Sequence, residues 1–171
     1  MKFFLLLIFF FNFCKISAQE YLGTVDVIGT SPLPGILIDR KDVPHTSQKI
    51  TETQIQENLT KSITDLMNEN LSGISVKDIQ NGAFQKNVDY RGYTASPLLG
   101  ESQGISVYLD GVRINESFGD TVQWELVPEN AIKQIDLMSS NPAFGLNALG
   151  GSLALSTKKG LDFKNKEFVD T

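Results

Sequence analysis

Acid–base, nucleophilic and metal chemistry draw on His, Cys and paired carboxylates, and this sequence offers few of them. The one histidine, His45, follows Pro44 in a proline-rich stretch. A catalytic base must be held within hydrogen-bond reach of its nucleophile, so a solvated loop histidine is the expectation there. The one cysteine, Cys14, follows Phe13 rather than the small residue that a lipid-attachment site wants. With no second His at helical spacing and no further Cys, the usual zinc sites are not expected. Asp110, Glu116, Asp120 and Glu125 could pair in space, but turn formation and solvation are their expected roles. No glycine-rich loop ends in Lys-Ser or Lys-Thr, and Gly145 to Gly151 lacks the spacing and the strand-then-helix context of a dinucleotide loop. Three Asn-x-Ser/Thr triplets, at Asn58, Asn70 and Asn115, are background in so Asn- and Thr-rich a chain. No enzyme, no catalytic residue, no metal site and no cofactor are expected.

Composition separates the chain into two parts. Of its 171 residues, six of the 11 Phe fall between Phe3 and Phe13. Met1-Lys2 followed by that apolar run, with Ile16-Ser17-Ala18 offering a small residue for cleavage, has the form of a secretory signal peptide and is shorter than a membrane-spanning helix requires. Residues 1–18 carry Lys2, Lys15 and no carboxylate, so the 153 that remain hold a net charge of −7 rather than −5. An acidic chain of that size suits one domain with a modest core and argues against a nucleic-acid partner, which selects for a basic face. If cleavage follows Ala18, the exported chain has no cysteine and relies on no disulfide.

The elements that must position any site follow from spacing. From Gln19 to about Thr46, Pro32, Pro34 and Pro44 alternate with Gly23, Gly29 and Gly35, so residues 19–49 are expected to be a flexible arm. Organised structure is expected from Ile50. Thr51-Glu52-Thr53-Gln54 fits a capping box, and Leu59, Ile63, Leu66 and Met67 make one apolar stripe of a second helix ending at Asn70 to Gly73. The period then becomes alternating: Ile74, Val76 and Ile79 share one strand face, and Val88 with Tyr90 another. Asp110-Gly111 between Ile105–Leu109 and Val112–Ile114 reads as a two-residue hairpin turn, with Val107 and Leu109 facing Ile114 and Val112. A short helix at Pro128 to Ile132, a strand over Gln134 to Met138 and a last strand over Gly151 to Thr157 complete an α+β domain, a small mixed β-sheet with short helices and long loops. Outside the leader there are only five Phe, four Tyr and one Trp, so such a domain is expected to be weakly stable alone: ordering costs about 1–2 kcal/mol per residue before burial offsets it.

Four blocks in order carry a resemblance: Val88-Asp89-Tyr90-Arg91-Gly92-Tyr93, then Ile105 to Asn115 with its Tyr-Leu-Asp-Gly-Val-Arg-Ile core, then Val127 to Met138, then Asn141 to Lys158 with Phe144-Gly145-Leu146-Asn147-Ala148-Leu149-Gly150-Gly151. Over residues 50–160 the chain resembles the plug domain of TonB-dependent outer-membrane receptors. The resemblance implies a globular gate inside a 22-stranded barrel of a Gram-negative outer membrane, importing a siderophore, cobalamin or similar scarce ligand with energy delivered by TonB. Within it, Thr24, Val25, Asp26, Val27 and Ile28 are similar in place and type to the TonB box, and alternating β-formers on an arm suit pairing to a sheet edge. Arg91 matches the Arg-Gly position that faces barrel carboxylates and locks the plug, whereas Ser139 stands where a second such Arg is often found. Loops between Tyr93 and Ser102 and between Asn115 and Gln123 are expected at the ligand, with Tyr93, Thr94, Ser96, Glu116, Ser117, Phe118 and Trp124 as candidate contacts. A barrel needs several hundred further residues, at about 10 per strand plus turns, and residues 161–171 supply only its start or a tail. The expectation is therefore the plug portion of such a receptor, with a free-standing periplasmic binding or adaptor module as the alternative.

Overall fold

A computed structural model of the chain describes residues 27–29, 37–39, 46–79, 82–139, 145 and 147–163. The expected signal peptide, residues 1–18, and most of the expected TonB box, Thr24 to Asp26, lie outside the described residues. Strand β1 (Val27–Gly29) pairs antiparallel with β2 (Leu37–Asp39) as a two-stranded ribbon.

The body of the domain is two sheets on one core. Strands β3 (Ser47–Ile50), β7 (Ile105–Leu109), β8 (Val112–Arg113), β9 (Ile132–Met138) and β10 (Gly151–Thr157) form a mixed sheet in the order β3-β9-β10-β7-β8, with only the β10–β7 pair parallel. Strands β4 (Ile74–Ile79), β5 (Gly82–Tyr90) and β6 (Tyr93–Ala95) form an antiparallel sheet. Helices α1 (Glu52–Gln56) and α2 (Ile63–Asn70) connect β3 to β4. The single large cluster of buried side chains takes Ile55 from α1, Ile63, Leu66 and Met67 from α2, Val88 and Tyr90 from β5, and Ile135, Leu137, Leu153 and Leu155 from the central strands. Each large apolar side chain fully buried there contributes about 1.5–3 kcal/mol, which is what ties two small sheets into one unit.

Local signals place most of these elements. Thr51 caps α1, and its N–H donates to Gln54 Oε1 at 2.9 Å. Ser62 caps α2, its hydroxyl accepting from the Asp65 N–H at 3.2 Å. Gly73, at φ +84°, then turns the chain into β4 beneath the Tyr90 ring. Both tight hairpins put two successive residues at positive φ, Arg91 (56°) with Gly92 (83°) and Asp110 (48°) with Gly111 (85°), as turns that match strand twist require. Asp110 holds the second turn against the end of β10: its carboxylate accepts from the Thr157 N–H at 2.9 Å and the Thr157 hydroxyl at 2.6 Å.

Two expectations are corrected. Organised structure does not wait for Ile50, because β3 is already paired along its length to β9, Ser47 opposite Met138 and Ile50 opposite Ile135. Its Ser-Gln-Lys-Ile sequence has the weak apolar content of an edge strand, so no alternation announced it. Leu59 is not on the helix stripe; it precedes α2 in a turn and is 62% exposed. Among the described residues no helix is long and apolar enough to cross a membrane, which says nothing of strands.

Candidate functional site

Three loops meet where β7 and β10 begin: loop A after β6 (residues 96–104), loop B after β8 (residues 114–122) and loop C before β10 (described at residues 145 and 147–150). Gln103 pins loop A, its Nε2 donating to the carbonyls of Ser96 (3.1 Å) and Leu98 (3.0 Å) while its Oε1 accepts from the Ser96 N–H (3.1 Å). Loop B closes on itself through the Glu116 N–H to Thr121 O (2.9 Å) and the Thr121 hydroxyl to Glu116 Oε2 (2.7 Å). The loops are then cross-tied. The Val122 N–H donates to Ser96 O (3.0 Å), the Gly150 N–H donates to Gly104 O (2.9 Å), and the Asp120 carboxylate receives both the Arg113 guanidinium and the Asn147 amide.

Asn115 suspends loop B from the sheet. Strand β8 has only two residues, so the first half of β7 lacks a strand neighbour on that side. The buried Asn115 carboxamide takes its place: Oδ1 accepts from the Val107 N–H at 2.7 Å, and Nδ2 donates to Ile105 O at 3.0 Å and to Asp120 O at 3.3 Å. A side-chain amide has the same donor and acceptor pair as a peptide unit, so it can satisfy an edge that no strand reaches.

Between loops B and C lies an open recess of about 710 Å³ lined by Arg113, Glu116, Ser117, Asp120, Asn147 and Leu149. Leu99, Phe118 and Leu149, one on each loop, are exposed around it, with Leu99 packed over Gly119. Of the ligand-loop candidates, Glu116 and Ser117 line the recess, Phe118, next in the chain, is exposed, and Tyr93 is partly exposed, its ring lying over Gly104 and Gly150. Thr94, Ser96 and Trp124 are buried and do not reach the recess surface. Trp124 instead braces the loops from below, donating Nε1–H to Ala95 O at 2.9 Å. Arg113, Asn115 and Asn147 are the polar residues that sequence reasoning missed; Asn115 carried only a chance glycosylation triplet, and nothing local signals a bond between Asp120 and a residue 27 positions on.

Arg91 lies elsewhere, at the β5–β6 turn, at the opposite end of β6 from loop A. It is exposed, its guanidinium carbon sits 5.0 Å from the centroid of the Tyr90 ring, and among the described residues it has no ion-pair partner. Ser139, at the place of the second expected Arg, is buried, its N–H donating to Thr46 O at 3.0 Å. Among the described residues no group of three or more His, Cys, Asp or Glu could hold a metal ion, and His45 lies outside them.

A family model described as the TonB-dependent receptor plug domain matches residues 39–152. Comparison with curated proteins gives no match. Among solved structures, the chain is similar to the pyoverdine outer membrane receptor FpvA of Pseudomonas aeruginosa PAO1 (TM-score 0.57, 17% identity, 82% of this chain and 19% of that one). It is also similar to the alcaligin outer membrane receptor FauA of Bordetella pertussis (TM-score 0.55, 13% identity, 78% and 21%). A third is the siderophore receptor PiuA of Acinetobacter baumannii (TM-score 0.51, 19% identity, 71% and 15%). The chain spans about a fifth or less of the length of each.

Proposed function

The chain belongs to the TonB-dependent receptor plug domain family, and from that premise we propose that it is the gate of an outer-membrane receptor that imports a siderophore-type or similarly scarce ligand. The observation that carries this reading is the match over residues 39–152, which runs from β2 to the start of β10 and takes in both hairpins and all three loops. Loops A, B and C are the part of the ligand site that this chain contributes. Arg91 is held out on a tight turn, stacked on Tyr90 and without an ion-pair partner among the described residues, as a guanidinium meant for carboxylates on a surrounding barrel would be. Thr24 to Ile28 is the TonB contact, residues 1–18 are the export signal, and residues 161–171 lead toward the barrel. The alternative of a free-standing periplasmic module draws no support from the three solved structures named above, each of which is a receptor.

Site-directed disulfide crosslinking tests the reading. Cys replacements at Val25 to Ile28 are expected to crosslink to a Cys-bearing TonB in energised cells, at alternate positions, as an added strand requires. Absence of any crosslink at all four positions would remove the TonB contact and with it the energised gate.

A further inference from the structure

Resting on the reading of loops A, B and C as part of the ligand site, we propose that the ligand this face accepts is a neutral or cationic chelate with an apolar body, and that polyanions are disfavoured. Between Tyr93 and Asn130 the chain carries six carboxylates and a single basic residue, Arg113. Three of those carboxylates are engaged away from the recess or on other elements: Asp110 binds Thr157, Glu129 accepts from the Ile63 N–H at 3.1 Å, and Glu125 lies in the 3₁₀ turn Trp124–Leu126. On the loops themselves, Arg113 is paired with Asp120, the two side chains only 25% and 18% exposed, so their charges cancel where a ligand would approach. Glu101 and Glu116 are exposed with no cation beside them among the described residues, and the described part of loop C has no charged residue.

Glu116 therefore lines the recess as an uncompensated negative charge, with Glu101 exposed on the adjoining loop A and Leu99, Phe118 and Leu149 exposed one on each loop. Lys133, Lys158 and Lys159 belong to the far ends of β9 and β10, and Lys133 is paired there with Asp162. The exposed apolar side chains provide dispersion and burial for a ligand body regardless of its charge, so charge is what this face discriminates. An anionic chelate brought to within about 8 Å of two carboxylates is repelled, and a cationic one attracted, by amounts that at low salt translate to roughly tenfold in affinity between the two.

The test uses the full chain, labelled with ¹⁵N, and three ferric tris-hydroxamate probes built on one apolar scaffold whose free end is an ammonium (net +1), an acetamide (net 0) or a carboxylate (net −1). High-spin iron broadens nearby amide signals, so location and affinity are read together, even for millimolar binding. Broadening is expected on residues 98–102, 116–120 and 147–150, with the cationic probe about tenfold tighter than the anionic one at low salt. The difference should fall to about threefold or less at 0.5 M salt, where screening shortens the reach of charge, and also in the double variant Glu101→Gln/Glu116→Gln, which keeps an acceptor for Thr121. Localised broadening with the anionic probe as tight as the cationic one, or tighter, overturns the charge proposal and leaves the loops as a ligand site. No localised broadening with any probe overturns both.

Discussion

Replacing Asn115 with Ala deletes the carboxamide that stands in for a missing strand beside β7. Val107 is fully buried, and its N–H would lose its 2.7 Å acceptor, a cost of about 1–3 kcal/mol. Ile105 O would lose a 3.0 Å donor, which costs less because a carbonyl has a second lone pair. The sum, about 2–4 kcal/mol, is a large part of the 5–15 kcal/mol typical of a whole domain. Asn115→Asp sharpens the test. Its carboxylate still accepts from Val107, but the second oxygen now faces the carbonyls of Ile105 and Asp120, where Nδ2 donated at 3.0 and 3.3 Å. At neutral pH Asn115→Asp is expected to be at least as destabilised as Asn115→Ala. It should recover as pH falls and the carboxyl gains a proton to donate, which the Ala variant cannot do. The assay is urea unfolding followed by the fluorescence of Trp124, the only tryptophan and a core residue, with trimethylamine N-oxide present to keep the variants' folded baselines measurable. Hydrogen exchange at the Val107 amide provides the local readout. An Asn115→Ala protein within 0.5 kcal/mol of the parent, with Val107 protection unchanged, would refute the idea that a side chain completes this edge.

Three other changes probe different parts of the molecule. Gly150→Ala would place a methyl group 2.7 Å from Tyr93 Cβ, and is expected to cost about 1–3 kcal/mol and displace the Tyr93 ring, visible in urea unfolding and in the aromatic NMR signals. Arg91→Asn is expected to leave the isolated chain within about 0.5 kcal/mol of the parent: Asn tolerates positive φ better than Arg, offsetting the lost contact with Tyr90. In the assembled receptor it should loosen the plug, read as faster proteolysis of residues 50–160, and undiminished retention would remove the lock from Arg91. The hydrogen bond from Lys133, and after it that from the Lys159 N–H, hold the Asp162 carboxyl below the usual carboxylate range. That contribution is complete above the unfolded pKa, near 3.9 for a free Asp, and is lost as pH falls through the lower folded value. Asp162→Asn should therefore flatten the acid limb of Tm against pH, and an unchanged limb between pH 5 and 2.5 would rule the pair out as a contributor.

Much of the fold was legible because its signals are local. Asp110-Gly111, Arg91-Gly92 and Gly73 each sit where the backbone takes positive φ, and the capping box at Thr51, the helix stop near Asn70 and the last strand at Gly151–Thr157 all stand where spacing placed them. The misses share a cause. Strand β3 has polar residues between its ends because it pairs on one side only, and Leu59 continued a helical spacing that a turn interrupts before Ser62. The candidate site was legible as loops but not as contacts. Thr94 and Ser96 fall within the expected segment Tyr93 to Ser102 and Trp124 just past the one ending at Gln123, yet their burial depends on what packs over them, and that comes from chain many residues away.

Where the chain turns, which residues alternate between core and solvent, and the order of motifs that resembles a receptor plug can all be read from the residues alone. Those properties rest on φ/ψ preferences and on periods of 2 and 3.6, which a few neighbouring residues encode. That β10 lies parallel to β7 and antiparallel to β9, that Asn115 replaces a strand, and that Asp120 gathers Arg113 and Asn147 at the recess emerge from the packed fold. Backbone donors and acceptors are the same at every residue, so an alternating strand can pair with any other, and which pairing wins is settled by burying all the apolar faces together.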